Sequence, residues 1–288
     1  MDQYNLWVVK FVFYDSVWID FLASRFFKKA ALGSALICVV ALSSCTSSPV
    51  DVLDIRSSVT NPRYGDNDPH EWKSKKPWDY PVHGIDVSKY QNDIDWAQAK
   101  RSGISFAFIK ATEGGDRLDD RFKQNWEGAR RAGVVRGAYH FYYFCRPAFE
   151  QAAWFISKVP KERGSLPPVL DMEWNHKSPS CKFRPEPDAV RREMGVFLNR
   201  IKSHYGKKPI VYTTVDFYHE NDLGHIKNID FWLRSVADEP SNIYPDQKWV
   251  FWQYTGTGVV PGIKGDTDIN AFYGSVNQWK DWVKDRTK

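Results

Sequence analysis

From His83 to the C-terminus, short runs of β-branched and aromatic residues alternate with stretches whose apolar residues recur at helical spacing. The runs predict strands at His83–Val87, Ser105–Ala111, Val134–Tyr143, Pro168–Met172, Pro209–Thr213, Ile229–Val236 and Trp249–Tyr254, with a last one near Asp266–Phe272. The helical spacing predicts helices at Asp95–Ser102, Asp120–Ala132, Ala148–Val159 and Pro187–Tyr205. Such alternation belongs to a mostly parallel sheet covered by helices. Eight strands within residues 82–288 predict a compact, closed α/β fold, a TIM-type β/α barrel. Residues 214–228 and 255–265 carry weak helical patterns, so irregular or missing helices are expected in the second half.

Upstream the pattern changes. Residues 25–29 (RFFKK) are basic, and residues 30–42 (AALGSALICVVAL) are an unbroken run of apolar and small residues. Thirteen residues fall short of a comfortable bilayer span but suit the apolar core of an export signal. Leu42-Ser43-Ser44-Cys45 follows. In that order the three features resemble a bacterial lipoprotein signal, which is cut before a Cys that is then lipidated, here Cys45. An uncleaved signal anchor is the other reading. Residues 1–24 lie ahead of the basic stretch, where such signals do not usually extend, and Lys10, Asp15 and Asp20 make them a poor membrane span. Residues 46–81 carry five prolines, many polar residues and no apolar period, and read as a flexible tether. A tether of that length averages about 30–36 Å and reaches roughly 120 Å at full stretch. The expected organisation is therefore a signal segment (1–45), a tether (46–81) and a barrel (82–288), exported to the cell envelope and lipid-anchored to a bacterial membrane.

Composition changes this picture little. Aromatic residues make up 16% of the chain, including 13 Trp and 14 Tyr, which suits either a densely packed core or a groove of flat faces that stack on sugar rings. The net charge of +5 is spread along the chain without a Lys/Arg run, which argues against nucleic acid as a partner and suits an anionic polymer weakly. The cysteines at 38, 45, 145 and 181 form no CxxC pair and no zinc-type spacing with histidine, so neither metal nor cofactor is expected. Cys145 and Cys181 either bond in an oxidising compartment or remain buried thiols.

The chemistry is concentrated in carboxylates. In Pro168-Val169-Leu170-Asp171-Met172-Glu173-Trp174, strand alternation turns Asp171 and Glu173 to one side, with Cα atoms about 6.5–7 Å apart. Two acids on one face repel, which pushes one pKa upward and prepares a general acid. Glycoside cleavage needs such a protonated carboxyl group beside a second, charged one. A bare DxE is more often a pair of surface acids. Its surroundings change that weight, because His83-Gly84-Ile85-Asp86-Val87-Ser88 puts an acid at the end of the first strand and Gly265-Asp266-Thr267-Asp268-Ile269-Asn270 puts Asp268 at the last. First and last strands are neighbours in a closed barrel, and chemistry in such barrels sits at the C-terminal ends of the strands.

With these residues in place, the chain resembles the glycoside hydrolase family 25 lysozymes, the Chalaropsis-type muramidases. The resemblance covers residues 82–282. It rests on seven ordered motifs: HGIDVS (83–88), FIKATEG (108–114), GAYHF (137–141), LDME (170–173), KPIVYT (208–213), WQY (252–254) and GDTDIN (265–270). It implies a lysozyme that hydrolyses the β-1,4 bond between N-acetylmuramic acid and N-acetylglucosamine in peptidoglycan. It implies Glu173 as the acid and Asp171 as a partner that orients the substrate's acetamido group or handles water. Asp86 and Asp268 would support binding and tune charge. By the same matching, Lys110, Glu113, Tyr139, Phe141, Trp174, Tyr212, Trp232, Gln253 and Tyr254 would line the groove. Phe141 has an equal claim to be barrel core, and His140, facing away from Tyr139, is expected to be a packing residue.

One stretch departs from the family pattern. Many relatives carry Trp-Ile-Ala-x-Tyr on the sixth strand, whereas here Phe231-Trp232-Leu233-Arg234-Ser235-Val236 keeps only the Trp, which leaves the groove's shape on that side open. The insertion Asn175–Pro187, with Cys181 and three prolines, is expected to form a lid or rim, tied to strand three if Cys145 bonds Cys181. The alternative to an active enzyme is a catalytically inactive peptidoglycan-binding module, although both acids of the DxE are present. A chitinase-type barrel would need a longer DxxDxDxE motif, which Pro167-Pro168-Val169-Leu170 ahead of Asp171 excludes. A metal-dependent hydrolase is disfavoured because His83, His140 and His176 lack ligand spacing. The protein is expected to act as a monomer.

Overall fold

Continuous β-branched and aromatic runs such as Ile104–Ile109 are what a strand needs when both of its faces are covered. The computed structural model of the chain describes residues 59–236 and 238–288. Eight strands make a barrel: β2 (His83–Val87), β3 (Ile104–Glu113), β5 (Val135–Phe141), β6 (Val169–Met172), β7 (Ile210–Thr213), β8 (Asp230–Arg234), β9 (Phe251–Val259) and β10 (Thr267–Phe272). They run round it in the order β9-β10-β2-β3-β5-β6-β7-β8, and β8 pairs with β9 to close it. All are parallel except β10, which is antiparallel to both of its neighbours. The α/β barrel expected from the sequence is therefore present, with its last strand reversed. Two short strands add to it, β1 (Gly65–Asp66) on β9 and β4 (Arg117–Leu118) on β3.

The first half carries the expected helices: α1 (Trp96–Arg101), α2 (Phe122–Arg131), α3 (Ala148–Lys158) and α4 (Pro187–Tyr205). Between β7 and β10 the α-helices among the described residues are two short ones, α5 (Val215–Glu220), in a stretch whose weak pattern predicts irregular cover, and α6 (Pro240–Ile243), outside both weak stretches. A last helix, α7 (Val276–Arg286), was not among the predicted ones. Ser275 caps it by accepting from the Gln278 amide, while Gln278 accepts from the Ser275 amide. Its Trp279 is fully buried against Phe106 and Phe272, with ring centroids 5.3 and 5.0 Å apart. Since Phe272 ends the reversed strand, α7 seals the barrel at the end opposite the strand C-termini.

Alternate residues of each strand fill two separate cores. Phe106, Phe108, Val169, Ile210, Trp232 and Phe251 pack inside the barrel. Ile85, Ala107, Ile109, Leu170, Val211 and Trp252 pack between the sheet and its covering elements. Gly84 on β2 lies where a Cβ would come within 2.5 Å of the Phe106 carbonyl oxygen, so only glycine allows β2 and β3 to approach this closely.

Residues 59–80, read from the sequence as part of a tether, lie against the barrel. The Arg63 amide donates to the Ser102 carbonyl at 2.7 Å, and β1 pairs with β9. Tyr64 and Tyr254 share a hydroxyl hydrogen bond at 3.2 Å, and Trp72 meets Trp252 edge-on at 5.3 Å. Apolar Tyr64, Trp72 and Tyr80 thus act as anchors in a stretch that has no period of its own. The signal segment, Cys45 and residues 46–58 lie outside the described residues.

Candidate active site

Side chains at every second position of a barrel strand point inward, and the last inward position of each strand lies at the mouth. On β6 the inward set is Val169 and Asp171, and Glu173 follows one step beyond the strand. On β2 it is Gly84 and Asp86. Asp268 reaches the same mouth for a different reason than the sequence suggested. It opens the reversed strand β10, and its register partner is Asp86. Four acids therefore converge: Asp86, Asp171, Glu173 and Asp268.

Asp86 is fixed by a relay of amides and rings. Its Oδ2 accepts from Gln253 Nε2 and from Asn270 Nδ2, both at 2.9 Å. Gln253 Oε1 in turn accepts from the Tyr212 hydroxyl at 2.9 Å, and Asn270 Oδ1 accepts from Trp232 Nε1 at 2.7 Å. Every amide orientation in this network is set by a neighbour, so the carboxylate is held in one pose. Burial nevertheless dominates its protonation and pushes Asp86 up to about 6, against the pull of the two amides.

The other acids are raised for the same first reason. Burial pushes Glu173 up to about 7, with the Arg234 charge opposing and the Asp216 and Asp86 charges adding. Asp171 is held well above the usual carboxylate range by burial and then by the negative charge of Glu173. Asp268 is raised by burial and by Asp86. Asp171 is only 7% exposed, and its Oδ1 has no hydrogen-bond partner among the described residues. Glu173 is half-buried and opens on a cleft of about 580 Å³ that it shares with Trp174, His176, Asp216 and Arg234. The mouth thus holds a carboxyl group still protonated near neutral pH, next to a buried acid whose Oδ1 has no partner among the described residues.

On the β3–β5 side, Lys110 Nζ donates to Glu113 at 2.7 Å and stands 4.7 Å from the Phe141 ring centroid. The Tyr143 hydroxyl donates to the other Glu113 oxygen at 2.7 Å. Phe141 is half-buried at the mouth, while Tyr139 is buried with its phenol raised by burial and by Asp86. The disulfide between Cys145 and Cys181, with Cα atoms 5.8 Å apart, ties the loop after β5 to the inserted loop after β6. That loop forms a rim beside Trp174.

Two residues expected in the groove lie elsewhere, and a third reaches it only by an edge. Tyr254 faces the outer side of β9, opposite to Gln253, and is buried under Tyr64, Trp72 and His83. Trp232 lies beneath the groove, 2% exposed and stacked on Phe108 at 4.5 Å, where it positions Asn270. Trp174 is mostly buried against Phe144 and Phe217, with Nε1 donating to Glu220 at 2.6 Å, and only its edge reaches the cleft. The aromatic load is thus chiefly core. His140 is a packing residue: its ring nitrogens meet Thr112 and Gln151, and it stacks on Phe197. Three residues were missed. Asn270 and Arg234 each lie two positions from an inward residue, so strand alternation could have found them. Asp216 sits on α5 after β7, where no period points to it.

Compared with known families, residues 85–263 match the model described as Glycosyl hydrolases family 25. The chain is 38% identical to Lysozyme M1 of Streptomyces globisporus over 208 residues, 67% of this chain and 68% of that protein. It is 37% identical to the protein YegX of Escherichia coli (strain K12) over 213 residues, 72% of this chain and 75% of that protein. Among solved structures it resembles a family 25 glycosyl hydrolase from Bacillus anthracis, with a TM-score of 0.65 and 35% identity over 75% of this chain and 99% of that one.

Proposed function

The chain belongs to glycosyl hydrolase family 25, and from that premise we propose that it is a lysozyme, an N-acetylmuramidase that hydrolyses the β-1,4 bond between N-acetylmuramic acid and N-acetylglucosamine in peptidoglycan. The observation that carries the assignment of roles is the pairing of Glu173, half-buried and pushed up to about 7, with the more deeply buried Asp171 at one barrel mouth. Glu173 gives its proton to the glycosidic oxygen as the bond to the anomeric carbon breaks, and water adds to that carbon while losing one proton to a carboxylate of the cluster, which restores the enzyme's proton count. Asp171 assists by accepting the acetamido N–H on Oδ1, which has no partner among the described residues. Asp86 and Asp268 support the site by tuning charge: Asp86 raises the proton affinity of Glu173, and Asp268 raises that of Asp171. Every one of these groups comes from one chain, which supports action as a monomer.

The test is release of reducing ends from purified peptidoglycan. Glu173→Gln should lower the rate by about 10²–10⁴-fold with an unchanged circular dichroism spectrum. An undiminished rate would remove Glu173 from the mechanism.

We also propose that the protein is exported to the cell envelope and lipid-anchored at Cys45. The support is the basic, apolar and Leu42-Ser43-Ser44-Cys45 sequence, together with the Cys145–Cys181 disulfide, which suits an oxidising compartment. Since residues 59–80 pack on the barrel, residues 46–58 are all that remains of the expected tether, and they span ~45 Å at most. Lipid labelling in cells should disappear in Cys45→Ala; a label that persists would refute the anchor.

A further inference from the structure

Arg234 ends β8, two residues after the inward-facing Trp232 and in register with Gln253, so its side chain belongs to the barrel mouth. Its backbone is pinned: the Tyr244 hydroxyl donates to its carbonyl at 2.6 Å, and the Ser235 amide donates to the Gln253 carbonyl at 3.0 Å. Its guanidinium is exposed and has no hydrogen bond or ion pair among the described residues. The cleft it shares with Glu173 also holds His176 and Asp216, and these two are occupied. His176 stands 3.7 Å from Asp216 and 3.1 Å from Arg184, while Asp216 accepts from Thr214 at 2.6 Å.

The plain alternative is that Arg234 only balances the acids. Charge balance at this mouth takes the form of contact, as Lys110 and Glu113 demonstrate at 2.7 Å. Arg234 has three acids of the mouth, Asp86, Glu173 and Asp268, within its field and forms an ion pair with none of the described residues. A planar fork held on a fixed backbone, beside the acid and facing solvent, is suited to bidentate capture of a carboxylate brought by the substrate.

Building on the lysozyme reading, we propose that Arg234 is a substrate-binding residue that takes a carboxylate carried on the lactyl substituent of muramic acid. Two sources share that chemistry: the free lactyl carboxylate of peptide-stripped strands, and a carboxylate of the stem peptide amide-linked to the lactyl group in intact strands.

The experiment compares wild type, Arg234→Ala and Arg234→Lys on peptide-stripped strands, on the same strands methyl-esterified at the lactyl carboxyl, and on intact strands. Arg234→Ala should raise KM about tenfold on a carboxylate-bearing substrate, the lower end for a charge-assisted pair facing solvent, with the loss in KM rather than kcat. The esterified strand should show no such rise, and Arg234→Lys should fall between, keeping the charge without the fork. A rise confined to stripped strands names the lactyl carboxylate as the source; a rise confined to intact strands names the stem peptide. An equal loss on esterified and free strands, a loss in kcat alone, or no change would overturn the proposal. Failure of the lysozyme reading looks different, since wild type would then cut none of the three strands. Calorimetric binding of the stripped and intact strands then decides: about tenfold weaker binding of either by Arg234→Ala upholds the role of Arg234, and equal binding of both ends it.

Discussion

A carboxyl group that donates a proton near neutral pH has to be kept partly from water, and Glu173 owes its raised pKa first to burial. In its proposed role the group works only while protonated, so the hydrolysis rate should fall about tenfold per pH unit above pH ~7; a rate that stays flat to pH 9 would contradict this assignment. Asp86 tests the same site from below. Asn270→Ala removes one of its two amide donors and leaves Trp232 Nε1 without its acceptor, which should cost ~1–3 kcal/mol in a urea titration and lower kcat. At this scale the sequence was legible wherever alternation applied. Asp171 and Glu173 share a side because strands have a period of two, and Asn270 follows Asp268 by the same rule. Tyr254 was not legible: it adjoins Gln253, the two must face opposite ways, and nothing local says which of them looks inward.

Elements were readable in proportion to their periodicity. The helices α1 to α4 stand where apolar spacing predicted them, the short α5 stands where it was weak, and α6 lies outside both weak stretches. The reversal of β10 was hidden because a strand's pattern has no direction. Direction follows from the connection, and with β9 running to Val259 only residues 260–266 remain before Thr267, too few for a parallel crossover. Helix α7 had a readable signal in the Ser275–Gln278 capping box, yet its role as a seal depends on Trp279 meeting strands distant in sequence. The Cys145–Cys181 bond closes a loop across 36 positions, so Cys145→Ser with Cys181→Ser should cost roughly 2–4 kcal/mol. That corresponds to a melting temperature lower by about 5–15 °C in calorimetry.

For the molecule as a whole, the site has a stability cost. Glu173 has a folded pKa above its unfolded one, so its stabilising contribution is complete below about pH 4.5 and is lost as pH rises through about 7. Glu173→Gln escapes that loss and should melt ~2–8 °C above wild type at pH 8, equivalent to ~1–2 kcal/mol, with no advantage at pH 4. Comparison at each pH isolates this group, because buried His83 and His140, lowered to about 4, weaken the fold in the opposite direction as pH falls below 6.5. The strap of residues 59–80 is also part of the whole. Trp72→Ala should lower the melting temperature by about 4–8 °C, and an unchanged value would mean that the strap adds nothing to the barrel.

Local physics, written into the sequence, determined the alternation of strands and helices, the shared face of Asp171 and Glu173, and the order of the motifs, since each needs only neighbours a few residues apart. Tertiary structure alone decided that β10 runs backwards and so brings Asp268 to Asp86, and that Trp232 and Tyr254 leave the groove. It also decided that residues 59–80 dock and that Arg234 stands beside Glu173 without an ion pair among the described residues. These features depend on which surfaces meet when the barrel closes, and that contact joins segments nearly two hundred residues apart, as Asp86 and Asn270 are.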